Sequence, residues 1–138
     1  MSASRRPPDD PREWLKRAKS SLAKAQKGID IPGVCLEDLC FDAQQAAEKA
    51  LKGLLIHLQQ DFPYVHDLAQ LLARLEKAGQ DVPDRIKKAA ELTDYAVATR
   101  YPGAFEPVTR QEYDEAVAIA EEVVGWVDDA LKGEGEEG

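Results

Sequence analysis

The stretch from Leu36 to Leu58 constrains the fold more than any other part of the chain. It contains no proline and is rich in Ala and Leu. Its apolar residues recur at positions 36, 39/40, 43, 46/47, 50/51, 54 and 58, the spacing of one continuous helical face. Ala43, Ala46, Ala47, Ala50 and Gly53 are small enough for neighbouring backbones to come close, so this segment reads as a central helix with partners on more than one side. Gln44, Gln45, Glu48, Lys49 and Lys52 form its polar side. Glu48 and Lys52 stand one turn apart as a favourable ion pair, and the side as a whole reads as solvated surface or as an interface whose polar groups need specific partners.

The rest of the chain supplies elements to cover that helix. Asp9 or Asp10 before Pro11 is a helix start, and Trp14/Leu15, Ala18, Leu22, Ala25 and Ile29 mark one face of a first helix over 12–27. Gly28 and Asp30-Ile31-Pro32-Gly33 end it, and the segment from Gln59 to Pro63 ends the central helix. Asp67 with Gln70 caps a short third helix carrying Leu68, Leu71/Leu72 and Leu75 and stopping at Gly79. After Asp81-Val82-Pro83, the residues Ile86, Ala89/Ala90, Thr93, Ala96/Val97 and Arg100/Tyr101 predict one long fourth helix closed by Pro102-Gly103. Thr109-Arg110-Gln111-Glu112 reads as a capping box opening a last helix with Tyr113, Ala116/Val117, Ala120, Val123/Val124, Val127 and Leu131 on one side. No run alternates with a period of two, so strands are not expected. The predicted fold is all-α, an antiparallel up-and-down four-helix bundle with an additional short helix. One domain over residues 9–132 is expected between a flexible N-terminus (1–8) and a flexible acidic C-terminal tail (133–138).

A chain of 138 residues buries enough surface to fold without metal or disulfide support. A net charge of −8 argues against a generic phosphate-binding surface. The charge is nevertheless uneven. The first helix holds the cations Arg12, Lys16, Arg17, Lys19, Lys24 and Lys27 against Glu13 alone. Residues 109–132 hold only Arg110 and Lys132 against Glu112, Asp114, Glu115, Glu121, Glu122, Asp128 and Asp129. Such opposite charge suits neighbouring antiparallel helices, or simply two solvated faces. Cys35 and Cys40 diverge too far on a helix start for an unstrained bridge. Free thiols, no apolar run of membrane-spanning length and no secretory-type leader lead to the expectation of a cytoplasmic protein with no membrane association.

Gly-rich phosphate loops, Cys-x-x-Cys, His-Glu-x-x-His and Gly-x-Ser-x-Gly motifs are all missing. His57 and His66 are nine residues apart and fall on different predicted elements, so neither a metal site nor a cofactor is expected. The most suggestive chemistry lies at Thr99-Arg100-Tyr101-Pro102-Gly103. An arginine and a tyrosine in the last turn of a helix can grip an anion or nucleotide, Arg100 by paired hydrogen bonds and Tyr101 or Tyr95 by stacking. The plainer reading is a cation that complements the helix dipole.

Taken in order, the segment from Phe41 to Leu55 (Phe-Asp-Ala-Gln-Gln-Ala-Ala-Glu-Lys-Ala-Leu-Lys-Gly-Leu-Leu), then His66-Asp67-Leu68, then Tyr95 and Thr99-Arg100-Tyr101-Pro102 resemble the HEPN family, the higher-eukaryote and prokaryote nucleotide-binding domain. The resemblance spans about residues 12–131. It implies an all-α bundle, commonly a homodimer, and a partner, since small prokaryotic members often stand beside a minimal nucleotidyltransferase in toxin–antitoxin or defence modules. Many members are metal-independent ribonucleases that use an arginine and a histidine a few residues beyond it. Arg100 matches the arginine, but Phe105, Glu106 and Pro107 occupy the positions where the histidine should fall. Phe105 and Pro107 exchange no proton, and an ionised Glu106 is a poor substitute for imidazole near neutral pH. The resemblance therefore implies an interaction module without catalytic residues. Arg100, Tyr101 and Tyr95 are its candidate nucleotide or RNA contacts, and Gln44, Gln45, Glu48 and Lys49 its candidate interface. A ribonuclease using Arg100 with Glu106 or Tyr101, and a purely structural scaffold, are the alternatives.

Overall fold

Thirteen of the 22 residues of the central helix, α2 (Leu36–His57), are buried, more than one packed face can account for. In the computed structural model, which describes residues 10–62, 67–98 and 107–137, the surrounding elements are all helical. They are α1 (Pro11–Lys27), α3 (Leu68–Lys77), α4 (Asp84–Lys87), α5 (Tyr95–Ala98) and α6 (Arg110–Glu137), with 3₁₀ turns at Gly28–Asp30 and Lys88–Leu92.

The helix starts follow the predicted capping chemistry. Asp10 accepts the Arg12 backbone N–H at 2.9 Å ahead of Pro11, and Asp67 accepts that of Ala69 at 3.0 Å. At α6 the capping box is reciprocal. Thr109 Oγ1 accepts from the Glu112 backbone at 3.1 Å, while Glu112 Oε1 accepts from the Thr109 backbone at 2.9 Å.

Small residues set the approach of α1 to α2. A Cβ on Gly53 would sit 3.0 Å from Trp14 Cβ and 3.3 Å from the Pro11 carbonyl, and one on Gly28 would overlap Leu39. The start of α1 thus meets the end of α2, and the two run antiparallel. Helix α6 is antiparallel to α1 as well. The Tyr113 hydroxyl donates to the Ala25 carbonyl at 2.6 Å, Gln26 donates to Glu121 at 2.8 Å, and Lys19 pairs with Asp128 at 3.1 Å. Opposite charge on the first and last helices does mark neighbours. Ala43, Ala47, Leu51, Leu54, Ala116, Ala120, Val123 and Val127 belong to the common core.

The fourth column departs from the prediction. In place of one long helix, residues 84–98 form the single turn α4, the 3₁₀ stretch Lys88–Leu92, a turn, and α5. The buried residues Ile86, Ala89 and Leu92 are spaced by three, which fits three residues per turn better than 3.6. The Thr93 side chain also holds the segment, accepting the Leu68 backbone N–H at 3.1 Å at the start of α3. At the other end of the chain, α6 continues to Glu137, past the predicted stop at 132. Extending a helix already several turns long costs little per residue, because its nucleus is formed.

Candidate functional site

Gln44, Glu48 and Lys52 on the polar side of α2 are buried, not solvated. Gln44 is 0 %, Glu48 4 % and Lys52 8 % exposed. Buried polar groups need partners, and spacing by one turn supplies them here. Gln44 Nε2 donates to Glu48 Oε1 at 2.8 Å, and Lys52 Nζ donates to Glu48 Oε2 at 2.9 Å. Gln45 Nε2 donates in turn to Gln44 Oε1 at 2.6 Å. One carboxylate thus takes hydrogen bonds from both directions along the helix. The Lys52 ammonium also lies 5.3 Å from the centre of the Phe62 ring, and Phe62 meets Trp14 edge to face at 5.8 Å, which ties the start of α1 to the end of α2.

One turn before Gln44, Cys40 is buried against Tyr95 of α5. Burial, helped by the nearby Glu112 carboxylate, pushes the Cys40 thiol up to about 12. Burial likewise pushes the Tyr95 phenol up to about 12, with Cys40 and Glu112 adding to it. Both groups are neutral at ordinary pH. Neither cysteine is in a disulfide; Cys35 is exposed.

Along the other edge of α2, Gln45 and Lys49 are half-buried beside α1. Lys49 Nζ donates to Ser21 Oγ at 3.0 Å, and Lys24 stands 3.6 Å from Asp42. Burial holds the Lys49 ammonium below its usual range, and the like charges of Lys24 and Arg17 lower it further. The sequence gives Arg17 and Lys24 only as members of a basic helix. Ser21 carries no signal of its own until α1 is laid against α2.

Of the predicted contacts, Tyr95 is placed as described, while Arg100 and Tyr101 lie outside the described residues, as does His66. Gln44 and Glu48 find partners inside the chain, whereas Gln45 and Lys49 keep part of their surface. Among the described residues no group of three or more His, Cys, Asp or Glu is placed to hold a metal ion, and no helix is long and apolar enough to cross a membrane.

The family model described as "HEPN domain" matches residues 11–130. The chain belongs to the HEPN family. TT1696 from Thermus thermophilus is 36 % identical, with a TM-score of 0.75 over 86 % of this chain and 96 % of that one. ST0689, an archaeal HEPN homologue, is 29 % identical, with a TM-score of 0.69 over 88 % and 98 %. No curated protein matches. The HEPN segment thus includes α2 with its polar ladder and the Tyr95 turn.

Proposed function

We propose that this HEPN chain is an interaction module without ribonuclease activity. It forms a homodimer, associates with a minimal nucleotidyltransferase in a toxin–antitoxin or defence-like pair in the cytoplasm, and contacts nucleotide or RNA through Arg100, Tyr101 and Tyr95. The observation that carries this reading is the sequence after Arg100. Phe105, Glu106 and Pro107 stand where the ribonuclease members have their histidine, which leaves no imidazole at that position to exchange protons with a ribose hydroxyl and a leaving oxygen. The state of the buried groups is consistent with it. Tyr95 and Cys40 hold their protons well above neutral pH, so neither is poised as a base.

The test is co-expression with the neighbouring nucleotidyltransferase, followed by size-exclusion chromatography with light scattering. A dimeric HEPN chain that co-elutes with the partner is expected, and a strictly monomeric chain that binds no partner overturns the reading. Cleavage of single-stranded or structured RNA that disappears in Arg100→Ala would establish the ribonuclease instead.

A further inference from the structure

The seam between α1 and α2 combines features that a solvated basic face does not explain. Arg17, Ser21 and Lys24 share one stripe of α1, and Asp42, Gln45 and Lys49 share the facing stripe of α2. Lys49 is the half-buried cation among them. Its direct partner among the described residues is the Ser21 hydroxyl, 3.0 Å away, and Ser21 is itself 2 % exposed. A partly desolvated ammonium is ordinarily matched by a carboxylate; here the direct partner is neutral, and the like charges of Lys24 and Arg17 are offset only in part by Glu48 and Asp42. The facing carboxylates correct this only in part. Asp42 stands 3.6 Å from Lys24, whose side chain is 65 % exposed, a loose pair of small worth. Burial raises the Asp42 pKa, Lys24 pulls it back in part, and Asp38, one turn earlier, adds to the rise while Lys49 opposes it. Glu48 is taken up by Gln44 and Lys52. Arg17 is exposed and has no ion-pair partner among the described residues. In a chain with a net charge of −8, this is a local excess of cationic donors, Arg17, Lys24 and Lys49 against the seam carboxylate of Asp42.

We propose that this seam, lined by Arg17, Ser21, Lys24 and Lys49, is a phosphate-binding site that takes a phosphate group of a nucleotide or of single-stranded RNA. Arg17 offers a planar fork suited to two phosphate oxygens, and Lys24 and Lys49 offer point charges on flexible stems. Ser21 occupies one of the three Lys49 donors and fixes the ammonium in the seam, leaving the others to the ligand. The site is separate from Arg100, Tyr101 and Tyr95 and does not depend on a nucleotidyltransferase partner. The groove of about 380 Å³ along α6 offers no such match, because it is lined by Glu121, Glu122 and Asp129 with Arg85 as the cation among its described lining residues.

The experiment is fluorescence anisotropy of a labelled oligouridine at low salt, with ATP and inorganic phosphate as competitors, on the wild-type chain, Arg17→Gln and Lys49→Gln. Each variant is expected to weaken binding about three- to tenfold. For RNA, the dependence of affinity on salt should fall by about one counterion per variant. Competition by ATP at least as effective as unlabelled oligouridine assigns the seam to nucleotide, and failure of ATP to compete assigns it to the RNA backbone. In parallel, the Lys49 side-chain ¹³Cε resonance should report a raised pKa when inorganic phosphate is added. Arg17 is exposed, so Arg17→Gln keeps the fold even if Lys49→Gln does not. Wild-type affinity in Arg17→Gln, or an oligoglutamate binding as tightly as the oligouridine, overturns the proposal. Binding lost in Arg100→Ala but unchanged in the seam variants also overturns it, while leaving the Arg100 contact standing.

Discussion

Glu48 and Lys52 show how differently one residue pair behaves in water and in a core. On an exposed helix an i,i+4 pair contributes a few tenths of a kcal/mol. Here both side chains are under 10 % exposed, and removing one partner leaves the other charge desolvated. Lys52→Met is therefore expected to lower unfolding stability by about 3 kcal/mol, read from urea denaturation; a loss below about 1 kcal/mol would place this pair with ordinary surface bridges. The two cysteines are a second contrast. Cys40 is buried with its thiol pushed up to about 12, while Cys35 is exposed. The thiolate is the reactive form, so a thiol reagent at pH 8 should label Cys35 alone in the native protein and both residues in denaturant. Mass spectrometry after brief labelling would show which residues carry the adduct.

Among the elements, the N-terminal caps are readable because they depend on local chemistry. Asp10, Asp67 and the Thr109/Glu112 box each satisfy backbone donors within three residues. The end of α2 carries a cost the sequence does not announce. Gln59 adopts a φ of 59°, and the Gln60 N–H reaches back to the Leu55 carbonyl at 2.8 Å, a closure that normally uses glycine. Gln59→Gly is expected to raise stability by about 0.5–1 kcal/mol, visible as a higher midpoint in thermal unfolding. The fourth column was misread because Thr93 at helical spacing looks like any other residue of an amphipathic face. Its hydroxyl instead serves α3 through Leu68. Thr93→Val should cost about 1 kcal/mol and speed hydrogen exchange at the Leu68 amide.

At the scale of the whole molecule, Cys40 and Tyr95 tie the stability of the bundle to alkaline pH. Their folded pKa values are raised from 9.0 and 10.0, each to about 12. Between about pH 9 and 12 the unfolded chain releases these protons while the folded chain keeps them, so the folded state binds more protons and stability falls as pH rises. Urea midpoints measured from about pH 8 to 11 should decline, and Cys40→Ala should flatten the decline even where it lowers the starting value. The sequence by itself determined the all-helical class, the central place of α2, the caps and the HEPN kinship, and it carried the opposite charge of α1 and α6 without deciding their contact. Each rests on local periodicity, capping chemistry or an ordered motif, which a linear chain carries explicitly. Only the tertiary structure decided that Gln44, Glu48 and Lys52 form a buried ladder, that residues 84–98 break into turns, and that Lys49 meets Ser21 among cations. Burial and like-charge crowding depend on which helix lies against which, and a polar residue in a sequence looks the same whether it faces water or a neighbouring helix.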